Sequence, residues 1–256
     1  MKKIRTHLTL FIIILLLFSC SNKPGKKFKS ELSGSEQTPK SNSENKDSAE
    51  FKTLLQVSET VKDIDENEYN TVKIGKQTWM VKNLKTTKYN DGTAIPLVTD
   101  GAAWAALSTP GYCWYTNEES SFKPSYGALY NGYAVSTGKL CPTGWHVPDN
   151  AEWTALTAYL GGENVAGGKL KEYGSTYWVS PNTGATNESG FTALPGGLRY
   201  HDGLFHDFGF SGCWWSSTEY SASRAFFFYM DYEYGNVPRF DNIKKIGFSV
   251  RCMKDY

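Results

Sequence analysis

Residues 141–162 read CPTGWHVPDNAEWTALTAYLGG and bring together Cys141, His146, Asp149 and Glu152 with two tryptophans, Trp145 and Trp153. An imidazole near two carboxylates has the residue types for general acid–base work. The spacing points to architecture instead. Asp149 followed three residues later by Glu152 is a capping-box pattern. The first carboxylate accepts from early helix amides and the second reaches back to the amide of the capping residue. Trp153, Leu156 and Leu160 then recur at helical spacing and mark one buried face. Gly161 and Gly162 supply the stop, because glycine enters the left-handed region at little steric cost. One main helix is therefore expected near 149–160. His146 lies in an extended entry segment bounded by Pro142 and Pro148 and is read as a hydrogen-bonded part of the packing rather than as a ligand.

A second group of candidates lies in residues 199–240, where 14 side chains are Phe, Trp or Tyr, a density that demands either a core or a binding surface. Rigid rings give contact area at low entropic cost, and alternation along AFFFYMDYEY sends about half its side chains outward. An aromatic binding face is expected, with Tyr200, His201, His206, Trp214, Tyr220, Tyr232 and Tyr234 as its ligand-binding residues. The competing reading of the same rings is core.

YHDGLFH, inside this region, has the pattern of a hairpin with Asp202-Gly203 as a two-residue turn. Pairing His201 with Leu204 places Arg199, His201 and His206 on one face. Two histidines with Asp202 or Asp207 are metal-ligating types, but a zinc site converges three or four ligands, and no metal is assigned. Asn182, Asn187 and Glu188 in SPNTGATNESG carry oxygen donors of the kind calcium takes. Turn formation accounts for them equally well, and no cofactor is assigned beyond that calcium option. Glu188, Glu219 and Asp231 are acid and base candidates for glycoside cleavage. Nothing in their spacing selects them, and the sequence holds no GxSxG, HExxH or phosphate-loop pattern. An enzyme is not expected.

The elements that position these groups occupy only part of the 256 residues. Residues 1–19 read as a signal peptide, with Lys2, Lys3 and Arg5 ahead of an apolar run over 8–18. That run is shorter than the roughly 20 residues a membrane span needs. The LFSC at its end is similar to a bacterial lipobox, which implies cleavage before Cys20 and acylation of its sulfur. Several acyl chains anchor stably where one binds only marginally. Residues 20–62 are rich in Ser, Lys, Glu and Asn and almost free of aromatics. Such a segment cannot bury enough apolar surface to offset its ordering entropy, so it reads as a disordered linker on the lipid anchor.

The net charge of +1 is unevenly shared, since residues 63–256 carry 16 Lys and Arg against 20 Asp and Glu. A mildly acidic domain without a concentrated basic face does not suit nucleic acid. Within 63–256, turn signals such as KYNDGTAIP, STPGY, YLGGENVAGG, LPGG and EYGN separate short apolar runs, which predicts an irregular strand-and-loop domain with little helix. NTVKIGKQTWMVKNLK reads as two short strands across Gly75-Lys76. Four cysteines remain beyond Cys20, and in an oxidising compartment four allow three connectivities. The favoured pairing joins Cys141, before the helix, to Cys252, near the last strand. Cys113 with Cys213 follows by subtraction.

Seven blocks now carry a resemblance. In order they are TVKIGKQTWMVKNLK, YGALYNGYAV, LCPTGWHVPDNAEW, AGGKLKE, SPNTGATNESGFTALPGG, WWSSTE and GFSVRC. Together they resemble the Fibrobacter succinogenes major paralogous domain across residues 63–256. Members are typically exported, often as lipoproteins, and the resemblance implies no biochemical activity. More distantly, GWHVPDNAEW is similar to the RLPTEAEWE segment of formylglycine-generating enzymes, and GFSVRC to their terminal GFR. This implies an α+β, irregular C-type-lectin-like domain with short antiparallel strands, termini meeting in one sheet, and long loops. A Cys141–Cys252 bridge suits that fold. The enzymes use two reactive cysteines close together late in the sequence, whereas Cys213 and Cys252 stand apart here, so the oxidase activity is not carried over. The EPN or QPD and WND motifs of calcium-dependent sugar-binding lectins do not occur.

The expectation is an exported lipoprotein of the bacterial cell envelope, held at the outer membrane on its periplasmic or surface face through acylated Cys20. It presents a non-catalytic binding module for a glycan or an envelope protein. The alternatives are a purely structural envelope protein without ligand and, third, a glycan hydrolase. Whether the outward rings of 200–234 form one patch separates the first two.

Overall fold

The computed structural model describes residues 59–256; the signal segment 1–19, Cys20 and most of the 20–62 linker lie outside the described residues. Short strands and short helices are mixed along the chain, and every pair of named strands is antiparallel. The first sheet contains Thr60–Lys62 (β1), Glu68–Ile74 (β2), Gln77–Met80 (β3), Trp145–His146 (β6) and Met253–Lys254 (β13), in the order β1-β2-β3-β13-β6. The last strand thus inserts between early ones, and the two ends of the domain share a sheet. As expected, β2 and β3 turn across Gly75 and Lys76, with Ile74 opposite Gln77 and Gly75 at φ 61°. The linker boundary moves: β1 pairs with β2 and Val61 packs against the core, so the sheet begins before residue 63.

A second sheet holds Tyr112–Cys113 (β4), Leu129–Asn131 (β5), Leu198–Arg199 (β7), Phe205–His206 (β8) and Gly247–Phe248 (β12), in the order β4-β5-β12-β7-β8. The third is a long meander of Ser211–Ser221 (β9), Arg224–Asp231 (β10) and Arg239–Ile243 (β11). Here the sequence expectation for AFFFYMDYEY holds in part: Phe226, Tyr229 and Tyr232 are only partly buried and Tyr234 is exposed, but burial is not confined to one face. Ala225, Phe227, Phe228 and Met230 of β10 are all buried, on both faces of the strand. Phe227 packs on Phe248 with ring centroids 4.5 Å apart, while Phe228 stacks on Trp153 at 4.7 Å. A strand covered on two sides carries a continuous apolar run, and alternation no longer tells inside from outside.

The described helices are Gly101–Ala106 (α1), Glu119–Tyr126 (α2), Gly132–Val135 (α3), Asn150–Tyr159 (α4) and Glu163–Leu170 (α5). The expected main helix is α4, with Trp153, Leu156 and Leu160 buried and Gly161 and Gly162 at φ near +100° after it. α5 is a correction, because YLGGENVAGG reads as turn in the sequence. Its glycines are needed for contact rather than for bending: a Cβ on Gly167 would strike the Asn236 carbonyl, and one on Gly168 the Gly184 carbonyl.

Buried cations staple the loops. Arg251 is 1% exposed and has no carboxylate partner among the described residues. Its guanidinium donates to the carbonyls of Met80, Val81 and Phe191 and to Asn83 Oδ1, and it lies 4.2 Å from the Phe191 ring centroid. Asn83 Oδ1 also accepts from Trp214 Nε1 at 2.8 Å. The VKNLK, SGFTALPGG, WWSSTE and GFSVRC blocks therefore meet at one buried hydrogen-bond centre. Burial pulls Arg251 down to about 9, which still leaves it charged at neutral pH.

Candidate functional site

The first constellation resolves into scaffold. Asp149 Oδ1 accepts from the Glu152 amide at 2.8 Å and Glu152 Oε2 accepts from the Asp149 amide at 2.9 Å, a complete capping box. Both carboxylates face the amides they were expected to satisfy. His146 Nε2 also meets the Glu152 carboxylate at 2.9 Å, while Nδ1 meets Asp255, beside the final Tyr256. Burial opposes a charge on this ring, but hydrogen bonds and attraction from Asp255 and Glu152 outweigh it and raise the pKa. With an acceptor on each nitrogen, the imidazole ties the C-terminal segment to the start of α4.

Cys141 and Cys252 form the favoured disulfide, with Cα atoms 5.9 Å apart and a sequence separation of 111. The pairing reached by subtraction does not form: Cys113 and Cys213 are both free and buried. They belong to different clusters, Cys113 with Trp104 and Leu129, Cys213 with Trp215 and Phe227. Burial pushes the Cys113 thiol up to about 12 and raises Cys213 as well, so neither is an activated nucleophile.

The oxygen-rich loop is taken up only in part by its own turns, for Asn182 Oδ1 is buried without a hydrogen-bond partner among the described residues. Asn182 Nδ2 donates to the carbonyls of Glu172 and Gly174, Asn187 Oδ1 accepts from the Thr192 amide, and Glu188 pairs with Lys169 at 2.9 Å. The three glycosidase candidates are likewise taken up locally. Glu188 has Lys169, Glu219 pairs with Lys244 and accepts from Ser136, and Asp231 accepts from the Tyr229 hydroxyl at 2.6 Å and from the Glu233 amide.

The expected aromatic face divides. Trp214 is a correction: it is fully buried, with its Nε1 given to Asn83. Tyr220 is exposed against Phe226, and Tyr232 packs edge-on to Phe210 at 5.3 Å. Tyr234 is exposed at 58% and its carbonyl accepts from the buried Lys171 ammonium. Tyr200, His201 and His206 do cluster, with Tyr200 4.2 Å from the His201 ring and 6.0 Å from that of His206.

The β7–β8 hairpin that carries them has a different register from the one expected. Leu198 opposes His206 and Arg199 opposes Phe205, and the Tyr200 amide donates to the Leu204 carbonyl. The loop is three residues, His201 to Gly203, with Gly203 at φ 88°. A shift of one residue moves side chains to the opposite face. Arg199 therefore turns inward, onto the Trp104 and Phe205 rings and the carbonyls of Val98, Thr99 and Gly203, away from the histidines.

Beneath this hairpin lies a pocket of 390 Å³. Its deep side is apolar, formed by Leu198, Cys213, Phe227, Ile246 and Phe248. Tyr200, Asp202, His206 and Asp207 stand exposed at the mouth, and half-buried Tyr229 and Asn242 complete the polar lining. The volume falls within the ~300–1,000 Å³ of small-molecule sites, as does the combination of an apolar body with a few convergent polar groups. Tyr200 and His206 were found from sequence; Tyr229, Asn242, Ile246 and Phe248 were not, because only the folding of β10, β11 and β12 beneath the hairpin brings them there.

A mixed helix-and-sheet domain of antiparallel sheets with few helices, carrying an aromatic-lined pocket beneath a hairpin, is the class that the structure defines. Residues 72–254 match the family described as the Fibrobacter succinogenes major domain, and the chain belongs to that family. Neither a curated protein nor a solved structure matches the chain. Among the described residues, no helix is long and apolar enough to cross a membrane.

Proposed function

We propose that the protein is an exported, lipid-anchored, non-catalytic binding module whose hairpin pocket receives a glycan. The 390 Å³ pocket carries this reading, since it pairs ring faces with hydrogen-bonding side chains as a sugar ring requires. The local engagement of Glu188, Glu219 and Asp231 supports a non-catalytic role. A C-type-lectin-like fold belongs to the same proposal, supported by β13 returning between β3 and β6 and by the disulfide beside it. Acylation of Cys20 places the module at the bacterial outer membrane, on the periplasmic or the surface face, with residues 21–58 as its tether.

A glycan array probed with the full chain and with Tyr200→Ala tests the binding reading. Signal for the native chain that is lost with Tyr200→Ala is expected; equal signal from both would overturn the assignment of the site. Cys20→Ala should move the protein from the membrane fraction to the soluble one, and continued retention would contradict acylation. The second reading, a structural envelope protein without ligand, is favoured by the dispersal of Tyr220, Tyr232 and Tyr234 into separate contacts. A blank array points to it, or to a protein partner.

A further inference from the structure

Resting on the glycan reading and narrowing it, we infer that the hairpin pocket selects a sugar ring bearing a free, protonated amine over neutral and acidic sugars. Beside the His206 imidazole, the charged groups at its mouth are carboxylates. Asp202 and Asp207 line it, and no lysine or arginine does. Asp202 Oδ1 accepts from the Leu204 amide at 2.9 Å. The Asp207 side chain makes no hydrogen bond or ion pair among the described residues, although its backbone, at φ 61°, is fixed by the Phe210 and Ser211 amides donating to its carbonyl. The backbone that carries this exposed carboxylate is thus fixed, and its acceptor oxygens are free.

The cations on neighbouring strands and turns are engaged elsewhere. Arg199 is buried on three carbonyls, Arg224 pairs with Asp241, Lys244 with Glu219, Arg239 lies over Phe226, and Lys245 donates to the Ala105 carbonyl. Asp231 adds a further negative charge behind the Tyr229 hydroxyl that it accepts from. The remaining lining includes the rings of Tyr200, Phe227, Tyr229 and Phe248. Ring faces attract an ammonium and carboxylates hydrogen-bond it. A neutral hydroxyl gains less from the same groups, and a sugar acid meets like charge.

Isothermal titration of the full chain with glucosamine, glucose and glucuronic acid tests this. Glucosamine should bind about tenfold more tightly than glucose, and glucuronic acid should give no heat. In Asp202→Asn/Asp207→Asn, checked for unchanged thermal stability, glucosamine should fall to the affinity of glucose. Equal affinities in the native chain or a preference unchanged in the double variant would overturn the amine selectivity and leave the glycan reading standing, whereas glucosamine affinity unchanged by Tyr200→Ala would overturn the assignment of both to this pocket. No heat with any of the three sugars would overturn both.

Discussion

At the scale of single residues, the opening motif shows how chemistry-bearing types serve structure. His146 is about a third exposed and has a carboxylate on each ring nitrogen, so the fold favours its protonated form. Its folded pKa lies above the ordinary imidazole value of about 6.5. The resulting stabilisation is complete below about pH 6.5 and is lost as pH rises through the folded value. Thermal melts between about pH 6 and 8 should therefore show the native chain losing a few degrees relative to His146→Gln. Parallel curves for the two proteins would contradict the clamp. The capping residues were readable because a cap is local, three residues wide and independent of what α4 later packs against. Trp214 was not readable: a tryptophan beside exposed-looking Ser and Tyr gives no sign that Asn83, 131 positions earlier, will accept its indole proton.

Elements were legible where one segment decides its own conformation. α4 has its cap, its buried stripe and its glycine stop in the sequence, and the β2–β3 turn has Gly75. The β7–β8 hairpin was half legible. Asp202-Gly203 announces a turn, but Gly203 sits third in a three-residue loop rather than second in a two-residue one, and that single residue reverses which side chains share a face. α5 was illegible because glycine lowers helix propensity, while Gly167 and Gly168 are kept for the backbones of residues 184 and 235–236 that press against them. Gly167→Ala should raise intrinsic helix propensity and still cost about 2–3 kcal/mol, since the obstruction is backbone. Gly138→Ala, with open space around its Cβ and only a positive φ of 69° to strain it, should cost about 1 kcal/mol or less. Chemical denaturation of the two variants checks the order, and a stabilised Gly167→Ala would refute the close-contact account.

At the scale of the whole molecule, stability comes from long-range ties across irregular chain. The Cys141–Cys252 bridge closes a separation of 111 residues beside the sheet where the two ends meet. Replacing both cysteines with serine should lower stability by about 4–5 kcal/mol in the chain-entropy treatment. A loss under about 1 kcal/mol would show that the buried-cation centres hold the ends together without it. The pocket is a product of this scale too. Tyr200 and His206 could be named from composition, but its floor is assembled from residues 213–248, drawn from the meander and from β12 of the second sheet, and no local pattern encodes that approach.

The central claim is that recognition belongs to the hairpin pocket and that the motif around His146, Asp149 and Glu152 is framework. Mapping amide chemical-shift changes on the isotopically labelled full chain during titration with glucosamine tests it most directly. Shifts confined to residues 198–207 and to the strands beneath them, with residues 146–152 unmoved, are predicted. Shifts centred on His146, Asp149 and Glu152 over an unperturbed hairpin would contradict it.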